Sequence, residues 1–185
     1  MDTWGVDYGL IGKDGRLLSN PYHYRDSRTD GIPEKLFTLV SEDELYAAGG
    51  IQMMSINTVF QLFAEREENR ELFESARAVA MTPDLLNYFL TGKLRSEVSI
   101  ASTSALVDPQ KRDWNWRLIE KLGYPARLFT PVIQPGKELG PVSADVEAFT
   151  GLSGTRVFAT CSHDTQSAIA AVPAERGEFI YLSSG

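Results

Sequence analysis

The chain has 185 residues, of which 43% are hydrophobic, and 18 basic against 25 acidic side chains give a net charge of -7. That length buries roughly 70% of the unfolded surface in one core; with no apolar run able to span a membrane and no basic-then-apolar leader, a globular cytoplasmic protein is expected. One cysteine (Cys161) and two histidines (His23 and His163) exclude an intramolecular disulfide and a zinc-ligand set, and the acidic balance without a basic stripe argues against nucleic acid.

Residues 3–11 (TWGVDYGLI) read as a strand and 17–24 as its partner, joined by a turn at Asp14-Gly15, a pair that favours tight hairpins. Gly9, Gly12 and Gly15 recur at every third position, but no helix follows, so they are strand and turn residues rather than a nucleotide fingerprint. Gly5, inside the strand, marks the close approach of a ligand or of another backbone. Met1 stands two residues ahead of this apolar segment, which predicts further sequence upstream. In YRDSRT (24–29), Arg25, Asp26 and Arg28 either bind an anion or tie a loop down by ion pairs.

Helical patterning follows over 33–40, over a turn opened by Ser41-Glu42-Asp43-Glu44, and over 57–68. The last segment sets Val59, Phe60, Phe63 and Ala64 on one face and Glu65, Arg66, Glu67 and Glu68 at a solvated end. Residues 78–81 read as a short buried strand, and Pro83 suits the first turn of a helix that stops at Gly92. Short helices are expected over 99–106 and 116–122, with Trp114 and Trp116 in surface packing or at the helix start. Residues 125–141, rich in proline and glycine, read as an ordered connector. A helix over 143–150, a strand over 156–160, a helix over 165–171 and a strand over 178–182 then give an α/β ending.

The junction between those last two elements carries the chemistry. An apolar strand stops at Cys161, Ser162-His163-Asp164-Thr165 follow, and a small-residue helix begins at once. Asp164 or Thr165 is either a helix cap, or Asp164 is a carboxylate aimed by the free N–H groups and dipole of the first turn, as a proton acceptor requires. Ser162, His163 and Asp164 are neighbours in sequence and point apart, so they cannot form a nucleophile–base relay among themselves. His163 is either a donor to a polar ligand or a structural histidine. The chain closes on Leu182-Ser183-Ser184-Gly185, a strand end in small residues of the kind that brings backbone N–H groups close to a phosphate, with Ser184 and Gly185 the candidate contacts, though such a loop needs residues beyond the glycine as well.

Taken in order, DTWGVDYGL (2–10), YRDSRTDG (24–31), GIQ with INTVFQL (50–62), PDLLNYFLTGK (83–93), PG with LG (135–140), SHDT with AIAAVPA (162–174) and YLSSG (181–185) resemble the rhamnulokinase branch of the FGGY carbohydrate kinase family. The resemblance implies an α/β fold that is a partial actin-like ATPase (RNase H-like) domain. Residues 1–182 would be the latter part of the kinase N-terminal domain and 183–185 the start of the second phosphate loop. It also implies ATP-dependent phosphorylation of L-rhamnulose to L-rhamnulose 1-phosphate, with Asp164 as catalytic base and Gly5, His163, Asp164 and Thr165 against the ketose. ATP and Mg²⁺ would be held mostly by residues outside this chain, with no metal ligand within it. A larger residue at Gly5 is expected to narrow the sugar pocket. The family's first phosphate loop and everything beyond SSG are missing from these residues, so the chain alone is expected to be inactive. Another FGGY ketose kinase, acting on fuculose or xylulose, and a non-catalytic sugar-binding domain are the alternatives.

Overall fold

The computed structural model describes residues 1–174 and 179–183. Its first strand, β1 (Tyr8–Gly12), begins five residues later than the apolar pattern predicts. The cause is Val6, whose φ of 67° closes a three-residue turn in which the Asp7 N–H donates to the Gly5 carbonyl at 2.9 Å. A positive φ is strained for a β-branched residue. Three hydrogen bonds hold it: the Val6 N–H donates to Thr103 Oγ1 at 2.9 Å, and its carbonyl accepts from Thr58 Oγ1 at 2.7 Å and Gln61 Nε2 at 3.2 Å. Upstream of the turn, Thr3 makes a single parallel bridge to His163.

The tight turn at Asp14-Gly15 forms, with Gly15 at φ 84° and the Gly12 N–H on the Arg16 carbonyl at 2.8 Å. The return strand expected over 17–24 does not: it keeps one bridge, Ile11 to Leu17, and Pro21 has no N–H with which to extend a ladder. After a 3₁₀ turn at Ser27–Thr29 come α1 (Ile32–Leu36), α2 (Glu42–Gly49) and α3 (Thr58–Glu68). The Ser41 hydroxyl caps α2 by accepting the Glu44 N–H at 3.2 Å.

The solvated end expected for α3 begins one residue later than Glu65. Thr58 through Glu65 are all buried, because Gln61 reaches Val6 and Glu65 pairs with Arg28 of the YRDSRT loop at 2.6 Å. Gln61 Oε1 accepts a second bond from Arg28 at 2.9 Å. Glu65 therefore belongs to the interior, and only Glu67 and Glu68 keep the exposed setting expected of that end.

Beyond α4 (Arg70–Ser75), β2 (Ala76–Met81) is the true partner of β1, antiparallel with Tyr8 opposite Met81 and Leu10 opposite Val79. Side-chain alternation splits the pair between two cores. Tyr8 and Leu10 join Phe60, Phe63, Phe73 and Leu128 on one side, and Ile11 joins Ala78, Ala80 and Leu85 on the other. α5 (Thr82–Thr91) carries Pro83 in its first turn and ends at Gly92, φ 71°, as the sequence predicts.

The remainder is a series of short elements: β3 (Ser96–Glu97), α6 (Val98–Ser102), β4 (Val107–Asp108), β5 (Asp113–Trp114), α7 (Trp116–Lys121), β6 (Val132–Ile133), β7 (Glu138–Pro141), α8 (Ala144–Thr150), β8 (Arg156–Phe158) and α9 (Asp164–Ala170). β3 runs parallel to β6, while β4–β5 and β7–β8 are antiparallel pairs, so the 125–141 connector contains strand as well as loop. Trp114 is a core residue rather than surface packing: its indole N–H donates to the Thr130 carbonyl at 2.7 Å and its ring meets Phe129 edge-on. Trp116 stays exposed at the start of α7. The strand expected over 178–182 is not present in Phe179 to Leu182, which have no described strand beside them to complete a ladder; residue 178 lies outside the described residues.

Candidate active site

Three segments meet at a cavity of about 590 Å³, whose lining is completed by Tyr24, Tyr181 and residues of the 51–57 loop. Trp4, Gly5 and Val6 come from the turn before β1, Ser102 and Thr103 from the end of α6, and His163, Thr165 and Gln166 from the start of α9. Backbone bonds fix the first against the last: the Thr3 N–H donates to the Ser162 carbonyl, and the Asp164 N–H to the Thr3 carbonyl, both at 2.9 Å. The middle segment is joined to the first through Thr103, whose hydroxyl accepts the Val6 N–H.

Of the sequence-predicted sugar contacts, Gly5, His163 and Thr165 line this cavity. Asp164 is not itself a lining residue: it sits between two of them in the chain as the first residue of α9, with its side chain 56% exposed. It does not cap the helix. The cap position is His163, which makes no side-chain cap bond, and Asp164 Oδ1 instead accepts the Thr165 N–H at 2.6 Å and the Thr165 hydroxyl at 3.3 Å. Asp164 Oδ2 takes no hydrogen bond among the described residues. One oxygen is thus tethered and the other is left without a partner among the described residues.

His163 Nε2 lies 3.5 Å from Asp164 Oδ1. Burial lowers the imidazole pKa below its ordinary value, against the pull of Asp164 and Glu97 in the other direction. A neutral imidazole at neutral pH offers one donor and one acceptor, which suits sugar hydroxyls.

The role expected for Gly5 needs correction. A Cβ there would stand 2.7 Å from Thr103 Cγ2 and 2.9 Å from Thr103 Cβ, so the missing side chain makes room for Thr103 rather than for a ligand. Thr103 then supplies that part of the cavity wall.

Sequence reasoning missed three residues that build this site: Val6, Thr103 and Glu97. Their local patterns are a strand and a short helix, and their partners lie tens of residues away. Only Glu97, just ahead of an expected helix start, carried a local signal. It caps α6 by accepting from the Ser99 and Ile100 N–H groups. Among the described residues no group of three or more His, Cys, Asp or Glu side chains is placed to hold a metal ion. Ser184 and Gly185, the expected nucleotide contacts, lie outside the described residues. No described helix is long and apolar enough to cross a membrane.

A family model described as the FGGY family of carbohydrate kinases, N-terminal domain, matches residues 3–171. A rhamnulokinase of Bacteroides thetaiotaomicron is 44% identical over 185 residues, covering 100% of this chain and 38% of that protein. A rhamnulokinase of Oceanobacillus iheyensis is 38% identical, over 100% of this chain and 39% of that protein. The chain thus spans 38–39% of the length of these curated relatives. Among solved structures, ligand-bound xylulose kinase from Lactobacillus acidophilus matches with a TM-score of 0.82, covering 91% of this chain and 34% of that one at 20% identity. Xylulose kinase from Rhodospirillum rubrum gives 0.82 over 91% and 35%, at 21% identity. At such identity the likeness is one of fold: mixed α/β, part of an actin-like ATPase domain.

Proposed function

The chain belongs to the FGGY family of carbohydrate kinases, and on that premise we propose that it forms the sugar-binding part of an ATP-dependent ketose kinase whose substrate is L-rhamnulose. The observation that carries this reading is Asp164, which follows one cavity-lining residue and precedes another, with Oδ1 tethered to Thr165 and Oδ2 open.

In this mechanism Asp164 Oδ2 accepts the hydrogen bond of the ketose terminal hydroxyl and aims its oxygen at the γ-phosphorus of ATP. The hydroxyl proton passes to Asp164 as the new O–P bond forms and the bond to ADP breaks, giving the ketose 1-phosphate. A helix-start carboxylate is a weak base, but in a loose phosphoryl-transfer transition state the proton leaves late, so orientation matters more than basicity. The Thr165 N–H holds the carboxylate in place, and neutral His163 is available to a second sugar hydroxyl. ATP brings the phosphoryl group with a divalent ion, for which the described residues offer no group of three or more His, Cys, Asp or Glu side chains.

The substrate assignment rests on the relatives named rhamnulokinase, which match over the whole of this chain. Since the chain spans 38% of such a protein, the activity is that of a full-length parent, and the 185 residues alone are expected to turn over no ketose. Initial rates of the parent on L-rhamnulose, L-fuculose and D-xylulose test the reading. L-rhamnulose is expected to give the highest kcat/KM, and a preference for either of the other two overturns the assignment.

A further inference from the structure

We propose that Glu97, acting with Ser99, is a positioning residue for Asp164, a role that rests on Asp164 being the proton acceptor. Glu97 is fully buried. One carboxylate oxygen accepts the Ser99 N–H at 3.0 Å, and the other accepts the Ile100 N–H at 3.3 Å, the Ser99 hydroxyl, and the Ser162 N–H at 3.0 Å. The Ser99 hydroxyl oxygen in turn accepts the His163 N–H at 3.2 Å.

The consecutive N–H groups of Ser162, His163 and Asp164 are therefore held by Glu97, Ser99 and Thr3 in turn. Two of those three anchors come from the first turn of α6, more than sixty residues away in the chain. Glu97 is itself fixed from behind. Its N–H donates to the Asp84 carboxylate at 3.1 Å, and it pairs in β3 opposite Ile133 of β6.

Capping α6 needs only the bonds to Ser99 and Ile100. The bonds to Ser162 and His163 add nothing to that helix, but they fix where α9 begins and so where Asp164 stands. The other end of α6 acts likewise through Thr103, which holds Val6. The five-residue helix thus ties together the Val6 turn and the start of α9, two of the segments that line the cavity.

Aspartate at position 97 separates the two roles. It is one methylene shorter, still caps a helix well, and no longer reaches Ser162. Glutamine keeps the length, and with its oxygen turned to the Ser162 side it keeps that acceptor while giving up the bond from the Ser99 N–H, a loss to the α6 cap rather than to the junction. In the full-length parent, Glu97→Asp is expected to lower kcat about tenfold or more, since a displacement of about 1 Å at a reacting group costs up to about a hundredfold. Glu97→Gln should retain most of the activity. The decisive readout is a double-mutant cycle with Asp164→Asn, in which a residue that acts only through Asp164 loses its effect.

Glu97→Asp is therefore expected to change the residual kcat of Asp164→Asn by less than about twofold. If Asp164→Asn lowers kcat by about 10²- to 10⁴-fold but Glu97→Asp leaves kcat at the parent value, or lowers it by the same factor in both backgrounds, the positioning role is overturned and the base assignment survives. If Asp164→Asn itself turns over normally, the base assignment fails and this role fails with it. Should Glu97→Asp not fold, Ser99→Ala removes the partner of the His163 N–H and is carried through the same cycle, with the same outcomes deciding.

Discussion

Alanine at Gly5 in the full-length parent puts a Cβ 2.7 Å from Thr103 Cγ2, 2.9 Å from its Cβ and 3.0 Å from its Oγ1. Something must move, and Thr103 is poorly placed to do so. Its hydroxyl donates to the Ile100 carbonyl at 2.7 Å while accepting the Val6 N–H at 2.9 Å, one of the bonds that holds Val6 at its strained φ. Overpacking costs about 1–3 kcal/mol and loss of the bond about 1 kcal/mol. Alanine offsets about 0.4–1 kcal/mol of this by stiffening the unfolded chain. A net destabilisation of about 2 kcal/mol is expected in urea unfolding, with a higher ketose KM because Thr103 lines the cavity. Thr103→Ser removes the atom that clashes most, so it should destabilise the parent slightly and yet stabilise Gly5→Ala. The reasoning is refuted if Gly5→Ala is as stable as the parent, or if Thr103→Ser acts with the same sign in both backgrounds.

Arg28→Leu leaves Glu65 buried without its cation; urea midpoints should report a loss of about 3–5 kcal/mol, and the Arg28→Leu/Glu65→Leu pair should be more stable than Arg28→Leu alone. Asp84 is a second buried carboxyl, pushed well above its ordinary range by burial, with the nearby Glu97 charge adding to the rise and the Glu97 N–H opposing it. A folded-state pKa above the unfolded one means the folded protein binds the extra proton, so this group's contribution is lost as pH rises from the unfolded range through the raised value. Asp84→Asn keeps an acceptor for the Glu97 N–H; it should flatten that decline and leave the variant more stable than the parent at the alkaline end of a urea series from about pH 4 to about pH 8. An unchanged slope would show that Asp84 titrates normally.

Elements whose signals are local were legible in the sequence. Ser41 capping α2, Pro83 opening α5, Gly92 closing it and the Asp14-Gly15 turn all form where their residue types place them. The strand over 3–11 and the solvated setting of Glu65 depart from expectation through distant partners, which for Glu65 is Arg28. Val6 adopts a φ that nothing in its neighbourhood predicts, because Thr58, Gln61 and Thr103 supply the bonds that hold it. The same long-range bonding draws polar residues of α3 inward. At the site, the junction after Cys161 was placed to within one residue, but its supports at Glu97, Ser99 and Thr103 come from a segment whose pattern reads only as a short helix. A carboxylate can be located by the pattern around it. The residues that aim it cannot, since their role is set by a fold that brings distant segments together.

The central claim is tested most directly by measuring ketose affinity and turnover together for Asp164→Asn in the full-length parent. Asparagine keeps an oxygen to accept the sugar hydroxyl and loses the ability to take its proton. The ketose Kd is predicted to stay within about threefold while kcat falls by about 10²- to 10⁴-fold, the range of a lost general base. A variant that binds the ketose and phosphorylates it at close to the parent rate would contradict the assignment of Asp164 and the reaction built on it.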